Sequence, residues 1–559
     1  MTWRCVLCSV FLVLCACSGT STPDGPPALT PDPVEVSVFA INDLHGHLEG
    51  PSGKVKLQGE RVASGGVDTM AAHLDRLRAA HPNSAFVCAG DLVGASPLLS
   101  ALFQDEPTVE AMNLMKMDVL AVGNHEFDEG VDELLRLQKG GCHPEKGCRQ
   151  GHTYEGAAFP FLAANVLVKQ TNKTLFEPYV IKAYGAVRVG FIGLTFEDTP
   201  QAVSPDAVAP VRFLNEVETI NRYTKELQAQ GVEAIVVVIH EGGRAKGNTD
   251  INDCKAFEGP IADIAREVDD GVDAIVAGHT HQVFNCTIDD KIVTSAKSYG
   301  RVLTHIKLSI DPKTGQVVSK SATNIANTRD VAPNAAVAAH VDAYKKIVEP
   351  MANRRVAQIP AALARDASAA GESLLGLLIA DAQVAETRPA QKGGAQFALM
   401  NPGGIRASLD FKASGQEGEG VVTYSEAQRV QPFGNTLVTM TLTGAQVKSI
   451  LEAQFRPDKT VILQPSSELT YTWDASAPLG ARVVPGTLKV KGQPVVDDQT
   501  YRVTVNGFLS TGGDGFKTFA QGAQRVGGRV DLDVFVDYLQ ANQPLVLPTL
   551  GRVRLKPKQ

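Results

Sequence analysis

Five short apolar runs in the first half of this chain each lead into a small cluster of aspartate, asparagine or histidine. Residues 34–41 lead into Asp43 and His45, and residues 85–89 into Asp91. Residues 119–122 lead into Asn124 and His125, residues 234–239 into His240, and residues 274–277 into His279 and His281. The runs are rich in Val, Ile, Phe and Ala and read as strands, as does 187–194. Between them, residues 66–80, 106–116, 215–230 and 259–268 read as helices. Strands alternating with helices predict a layered α/β core. In open α/β sheets, sites form beyond the carboxyl ends of the strands. The clusters are therefore expected to meet in space although they span about 240 residues.

The chemistry of the clusters is specific. Imidazole nitrogens mixed with carboxylate and amide oxygens suit borderline first-row divalent ions such as Zn²⁺, Mn²⁺ or Fe²⁺. The ligands outnumber what one metal with an open position needs. They suit two ions sharing a bridging carboxylate, and such pairs, about 3.5–4 Å apart, hold phosphoryl oxygens for in-line attack. One Asp-x-His or His-x-His alone would mean little; five clusters in order, each after an apolar run, mean much more.

These motifs carry a family resemblance. Asp43-Leu44-His45, Gly90-Asp91, Gly123-Asn124-His125-Glu126, His240 and Gly278-His279-Thr280-His281 resemble, in order, the motifs of calcineurin-like metallophosphoesterases. Residues 123–128 look like the 5′-nucleotidase branch. The resemblance implies a four-layered α/β/β/α N-terminal domain that holds two divalent metal ions, Zn, Mn or similar. Asp43, His45, Asp91 and His281 would hold the first; Asp91, Asn124, His240 and His279 would hold the second, with Asp91 bridging. His125 would polarise or protonate the phosphate and leaving group, and Asp128 would orient and tune His125. The other histidines read as ordinary: His73 and His81 at the surface, His143 and His152 in loops, His305 and His340 far from the motifs, and His47 structural although near a ligand. Glu126 reads as structural.

The second half differs. Past residue 317 the strand pattern weakens, and residues 334–356 read as one helix connecting two domains. Residues 373–386 read as a further helix and 397–400 as a strand running into Asn401 and Arg406. Arginine beside a Gly-Gly turn suits a charged oxygen. Phe433 and Phe508, in glycine-rich loops, could clamp a planar base or serve as core, and Asp514 could accept from ribose hydroxyls. Together they resemble the C-terminal α+β substrate-binding domain of the 5′-nucleotidase family. There the matching aromatics sandwich the base, Asp514 holds ribose, and Asn401 and Arg406 contact substrate. One departure stands out. Family members carry arginine just before the helix containing Leu375 and Gly376, whereas here residues 368–372 contain none, and Arg365 is out of register. This leaves room for larger or different esters.

With 559 residues, two domains are expected. Residues 1–17 read as a signal peptide with Cys17 as the first mature residue, because Leu14-Cys15-Ala16-Cys17 resembles a bacterial lipobox; cleavage nearby by the ordinary peptidase is the alternative. Residues 18–33 read as a flexible tether, 34–330 as the metallophosphoesterase domain, 331–358 as the linker helix and 359–555 as the C-terminal domain. Acylation of Cys17 would anchor the protein to the bacterial cell envelope on its periplasmic or outer side. Of nine cysteines, four lie in the signal region. Cys142 with Cys148 and Cys254 with Cys286 are candidate disulfides in an oxidising compartment, and Cys88 reads as a buried thiol. A net charge of −8 argues against a nucleic-acid polymer as partner. A monomer acting on a small nucleotide is expected.

The resemblance thus implies an exported enzyme that cleaves nucleotides to nucleoside and phosphate with a hydroxide held between two metals. A 2′,3′-cyclic nucleotide phosphodiesterase, a nucleotide-sugar pyrophosphatase or a thiosulfate-ester hydrolase could use the same cage. A noncatalytic nucleotide-binding surface lipoprotein would be free to lose His125, yet every expected ligand and catalytic residue is present.

Overall fold

A computed structural model of the chain describes residues 1–2, 32–148, 151, 153–203, 206–246, 250–415, 417–457 and 459–557. Cys17 and most of the expected signal peptide and tether fall outside them.

Two six-stranded sheets form the N-terminal half. The first runs in the order Val317–Ala326, Val302–Ile310, Val34–Ile41, Ser84–Ala89, Val119–Ala121, Phe161–Leu162. The last four of these are mutually parallel. The second runs Val283–Ile288, Lys291–Ala296, Ala274–Ala277, Ala234–Ile239, Val187–Leu194, Tyr179–Tyr184, with a parallel centre and an antiparallel pair at each edge. Alternation along each strand explains the layering. Val36, Val38, Ala40, Val87, Val236, Val238 and Val276 point between the sheets and form one core. Phe39, Ile41 and Phe86 point outward against Met70 and Leu74 of helix Val67–Ala80 and Val109 and Met112 of helix Glu106–Leu114. Ile235, Val237 and Ile275 point the other way, against Ile220 and Leu227 of helix Glu216–Ala229 and Ile261 and Ile264 of helix Pro260–Glu267. Each such side chain contributes about 1.5–3 kcal/mol when fully buried. The result is the four-layered α/β/β/α arrangement. Because the central strands of both sheets are parallel, their carboxyl ends share one rim.

The helix read over 334–356 stops sooner. It spans Ala335–Ala352, capped by the Asn334 side chain, which accepts from the Ala336 and Val337 amides. Arg355–Gln358 instead pairs as a strand with Val421–Thr423; a β partner overrides helical spacing there. The helix is also no free tether. Val337, Val341, Tyr344 and Val348 bury into the outer core of the first sheet, and Tyr344 donates to Glu110 at 2.8 Å. The stretch where the strand pattern weakens holds the edge strand Val317–Ala326, which is half solvated and exposes Ser319, Ser321 and Thr323 together with Val318. His73 also departs from expectation: it is buried, with Nε2 3.1 Å from the Thr328 carbonyl, because its helix face is covered by the chain around residue 328.

The C-terminal half is α+β. A five-stranded sheet runs Gln464–Pro465, Phe397–Met400, Thr500–Asn506, Thr436–Thr443, Ala523–Val530. Helices Leu374–Thr387 and Asp531–Ala541 pack together over one core. Cys142–Cys148 and Cys254–Cys286 both form disulfides, and Cys88 is a buried free thiol. Among the described residues no helix is long and apolar enough to cross a membrane.

Candidate active site

The strand ends do meet. Ligand atoms of Asp43, His45 and His281 lie within 4.8 Å of one another, as do those of Asp91, His240 and His279, and those of His45, Asp91 and His125. Asp91 joins the groups: its Oδ2 is 3.0 Å from His240 Nε2 and 3.6 Å from His45 Nε2. Asn124 Oδ1 lies 3.1 Å from His240 Nε2 and 3.0 Å from His279 Nδ1. His281 Nε2 stands 3.4 Å from Asp43 Oδ1 and 3.0 Å from His45 Nε2.

Backbone conformation accounts for part of this convergence. Asp43, His45, Asp91, His279 and His281 all have φ between 48° and 65°. Left-handed backbone costs a non-glycine residue of order 1–3 kcal/mol, and such strain gathers at functional sites. Each residue turns sharply off its strand end, so its side chain points into the common rim. Gly123 permits the closest approach: a Cβ there would stand 2.3 Å from Asp91 Oδ1.

The donor set fits divalent metal. Asp43 is fully buried, and its Oδ1 has no hydrogen-bond partner among the described residues. A buried carboxylate oxygen left so is costly unless a cation meets it. His45 Nδ1 donates to the Gly94 carbonyl at 2.8 Å and His240 Nδ1 to the Ala89 carbonyl at 2.7 Å, which aims each Nε2 into the rim. Burial opposes protonation of His240, but the Asp91 carboxylate outweighs it and lifts the imidazole to about 10, so a bound cation would displace the Nε2 proton. Burial holds His45 and His281 well below the usual imidazole range and His279 at about 3, so all three offer lone pairs. Burial pushes the Asp43 carboxyl up to about 7. Burial also acts to raise Asp91, but His240 and His125 outweigh it and hold its carboxyl well below the usual carboxylate range.

His125 sits beside this cage. Its Nδ1 donates to Asp128 Oδ2 at 2.8 Å, and its amide donates to Asp91 Oδ1 at 2.9 Å. Burial opposes its protonation, but the Asp128 and Asp91 carboxylates outweigh burial and raise its pKa. Glu126 is a structural staple: its carboxylate accepts the amides of Asp91, Leu92, Val93 and Gly123. Glu126→Ala should therefore destabilise the fold by about 3–5 kcal/mol, since the buried amides lose their acceptor; urea unfolding reads this directly.

Across a cleft of about 440 Å³ stand the residues of the second half. Asn401, Arg406, Phe433, Phe508 and Asp514 line it together with Asn124, His125 and His279. The Phe433 ring stacks on His125 at 5.7 Å, with Arg406 5.6 Å over its centroid. Phe433 and Phe508 are only half-buried, which removes the reading of them as core. Asn401 donates to Asp514 Oδ2 at 2.7 Å and accepts from Asn506 at 2.9 Å. Gln428 donates to the Ser96 carbonyl and ties the halves together. Arg365 donates to the Arg406 carbonyl at 2.6 Å, so a second guanidinium does stand beside Arg406 despite its register.

Sequence reasoning missed two rings. Phe196 stacks on His279 at 4.3 Å, and Tyr299 packs edge-on against His281 at 5.4 Å and His45 at 5.8 Å. Phe196 follows strand Val187–Leu194 and Tyr299 follows strand Lys291–Ala296. The strand-end rule could have found both had it been extended to aromatic residues.

Two family models match this architecture: calcineurin-like phosphoesterase over residues 36–283, and 5′-nucleotidase, C-terminal domain, over residues 352–521. A sheet pair with this ligand rim, facing a substrate-type second domain, defines a calcineurin-like metallophosphoesterase. The chain belongs to the 5′-nucleotidase family of these proteins. It is 30% identical to a 5′-nucleotidase precursor from Thermus thermophilus, whose crystal structure superposes with a TM-score of 0.75, covering 94% of this chain and 100% of that one. It is 34% identical to the cell wall protein Lmo0130 of Listeria monocytogenes, over 91% of this chain and 67% of that protein. It is also 34% identical to the endonuclease YhcR of Bacillus subtilis, over 93% of this chain. The chain spans only 41% of that relative's length.

Proposed function

We propose that this protein hydrolyses nucleotide 5′-phosphates to nucleoside and phosphate outside the cytoplasm. The observation that carries the reading is the cleft itself, which sets a ligand-rich rim directly opposite two half-exposed aromatic rings and a carboxylate. Asp43, His45, Asp91 and His281 would hold one divalent ion, and Asp91, Asn124, His240 and His279 the other. When bound, such ions supply Lewis acidity to phosphoryl oxygens and a water acidified enough to attack at neutral pH.

The chain's own groups do the rest. Phe433 and Phe508 grip the base, Asp514 with Asn401 holds the ribose hydroxyls, and Arg406 meets the anionic end. His125, its Nδ1 proton committed to Asp128, keeps its other ring nitrogen for the phosphate or the leaving 5′ oxygen, and its raised pKa suits a proton donor. Export is supported by the two disulfides and by the name of the Listeria relative. Anchoring through Cys17 and the domain boundaries read from sequence are part of the same proposal. The net charge of −8 keeps the preferred substrate small, whatever the Bacillus relative cleaves.

The test is a panel with added Mn²⁺ or Zn²⁺: AMP, UDP-glucose, a 2′,3′-cyclic nucleotide and glycerol phosphate. AMP should release phosphate with the highest kcat/KM. Preference for the cyclic nucleotide, opened to a nucleoside monophosphate, or for the sugar nucleotide, split to UMP and glucose 1-phosphate, would reassign the reaction, and no hydrolysis product from any substrate would leave only the binding-protein reading. Phe508→Ala should cut kcat/KM for AMP about ten- to hundredfold, the loss of one base stack, and leave glycerol phosphate turnover unchanged. Equal losses on both would count against the base-gripping role.

A further inference from the structure

We propose that Tyr299 is the positioning residue of the first ligand group, Asp43, His45 and His281, and that its ring rather than its hydroxyl does the positioning. The inference rests on the two-ion reading above and extends it to a residue outside the ligand motifs.

The segment carrying Tyr299 is laced to Asp43 from both sides. The Ala296 amide donates to Asn42 Oδ1 at 2.7 Å, the Asn42 side-chain amide donates to the Lys297 carbonyl, and the Tyr299 amide donates to the Asp43 carbonyl at 2.7 Å. Lys297 and Tyr299 both hold left-handed backbone, with φ of 66° and 62°. Such strain in two non-glycine residues persists only where the surroundings enforce it. Here it turns the phenol ring onto the imidazoles. The ring meets His281 at an interplanar angle of 77° and His45 at 67°, both edge-to-face. Its other contacts fix it in turn: His47 stacks on it at 4.0 Å and 28°, and Arg301 lies 4.8 Å over it, anchored on the Ser52 carbonyl.

His281 most needs this support. His45 and His240 each have Nδ1 fixed on a backbone carbonyl, the usual way a ligating imidazole is oriented. Among the described residues no such acceptor meets His281, and its side chain is 26% exposed. Tyr299 stands where an acceptor would otherwise hold the ring. The second group has a counterpart in Phe196, stacked on His279. An aromatic ring after another strand of the same sheet thus steadies the more exposed imidazole of each group.

The experiment measures bound metal per chain, and the dissociation constant of each ion, on the full-length protein reconstituted with Mn²⁺ or Zn²⁺. Wild type and Y299F should hold two ions. Y299A should hold one, with the affinity of the lost ion down at least about tenfold and the other unchanged. His47→Ala, which removes the stack behind the ring, should weaken the same ion several-fold and guards against misfolding of Y299A. Two ions of unchanged affinity in Y299A and H47A would overturn the proposal, as would equal loss in Y299F or loss of both ions in Y299A. A wild-type protein that takes up no metal would instead sink the functional reading itself.

Discussion

Asp91→Ala is expected to abolish phosphate release and to leave the chain folded. Asp91 is 1% exposed and reaches both sides of the cage: Oδ2 faces His240 and His45, and Oδ1 accepts the His125 amide. No other side chain belongs to both the Asp91–His240–His279 group and the His45–Asp91–His125 group. On the two-ion reading, removing it takes away the shared anionic ligand, and it releases the backbone turn that places His125. Metal sites supply several kcal/mol of transition-state stabilisation, so the loss in kcat is about a thousandfold or more. The fold should survive, because burying two neighbouring carboxylates is itself a cost and the flanking strands are anchored by three separate cores. Bound metal should fall in step with activity while far-ultraviolet circular dichroism stays unchanged. Turnover near the wild-type rate would remove Asp91 from the centre of the site.

His125→Ala is the second large effect and has a different signature. The geometry alone would let His125 serve as a ligand, since its ring nitrogen joins His45 and Asp91 in one of the three groups. The hydrogen bond to Asp128 and the stack against Phe433 argue instead for a group that meets the substrate. On that account the alanine variant loses about 10²–10⁴ in kcat, the usual worth of a positioned proton donor, while KM for AMP moves little. It also keeps its full metal content. Asp128→Asn should fall between wild type and His125→Ala, because the imidazole stays in place but loses the charge that favours its protonation. Loss of one ion in His125→Ala would convert the residue from proton donor to ligand.

Much of this was legible beforehand, for a physical reason. Strands such as Ala234–Ile239 and Ala274–Ala277 are buried on both faces, so their limits coincide with uninterrupted apolar runs, and Val34–Ile41 and Val187–Leu194 are buried along most of their length. Their polar successors could be read because a parallel sheet gathers carboxyl ends. What stayed hidden depended on tertiary contact. The edge strand Val317–Ala326 is half solvated and lacks an apolar run. Residues 355–358 changed from helix to strand because Val421–Thr423 offered backbone partners. His73 is buried by a chain segment some 255 residues away. Tyr299 and Phe196 belong to no ligand motif; their place after a strand is the one sequence signal, and the distance to an imidazole gives it meaning. The proximity of Arg365 to Arg406 likewise follows from the antiparallel bridge between Leu363 and Leu409, which sequence register alone does not show.

The decisive quantity is the number of divalent ions that stay with the chain. Elemental analysis by plasma mass spectrometry of full-length protein, purified without chelator and passed through a desalting column, should find two equivalents of a first-row ion per chain, falling below one in Asp91→Ala. Trace metal in the wild-type protein, after incubation with Mn²⁺ and Zn²⁺ as well as before, would show that the converging aspartates and histidines serve some other purpose.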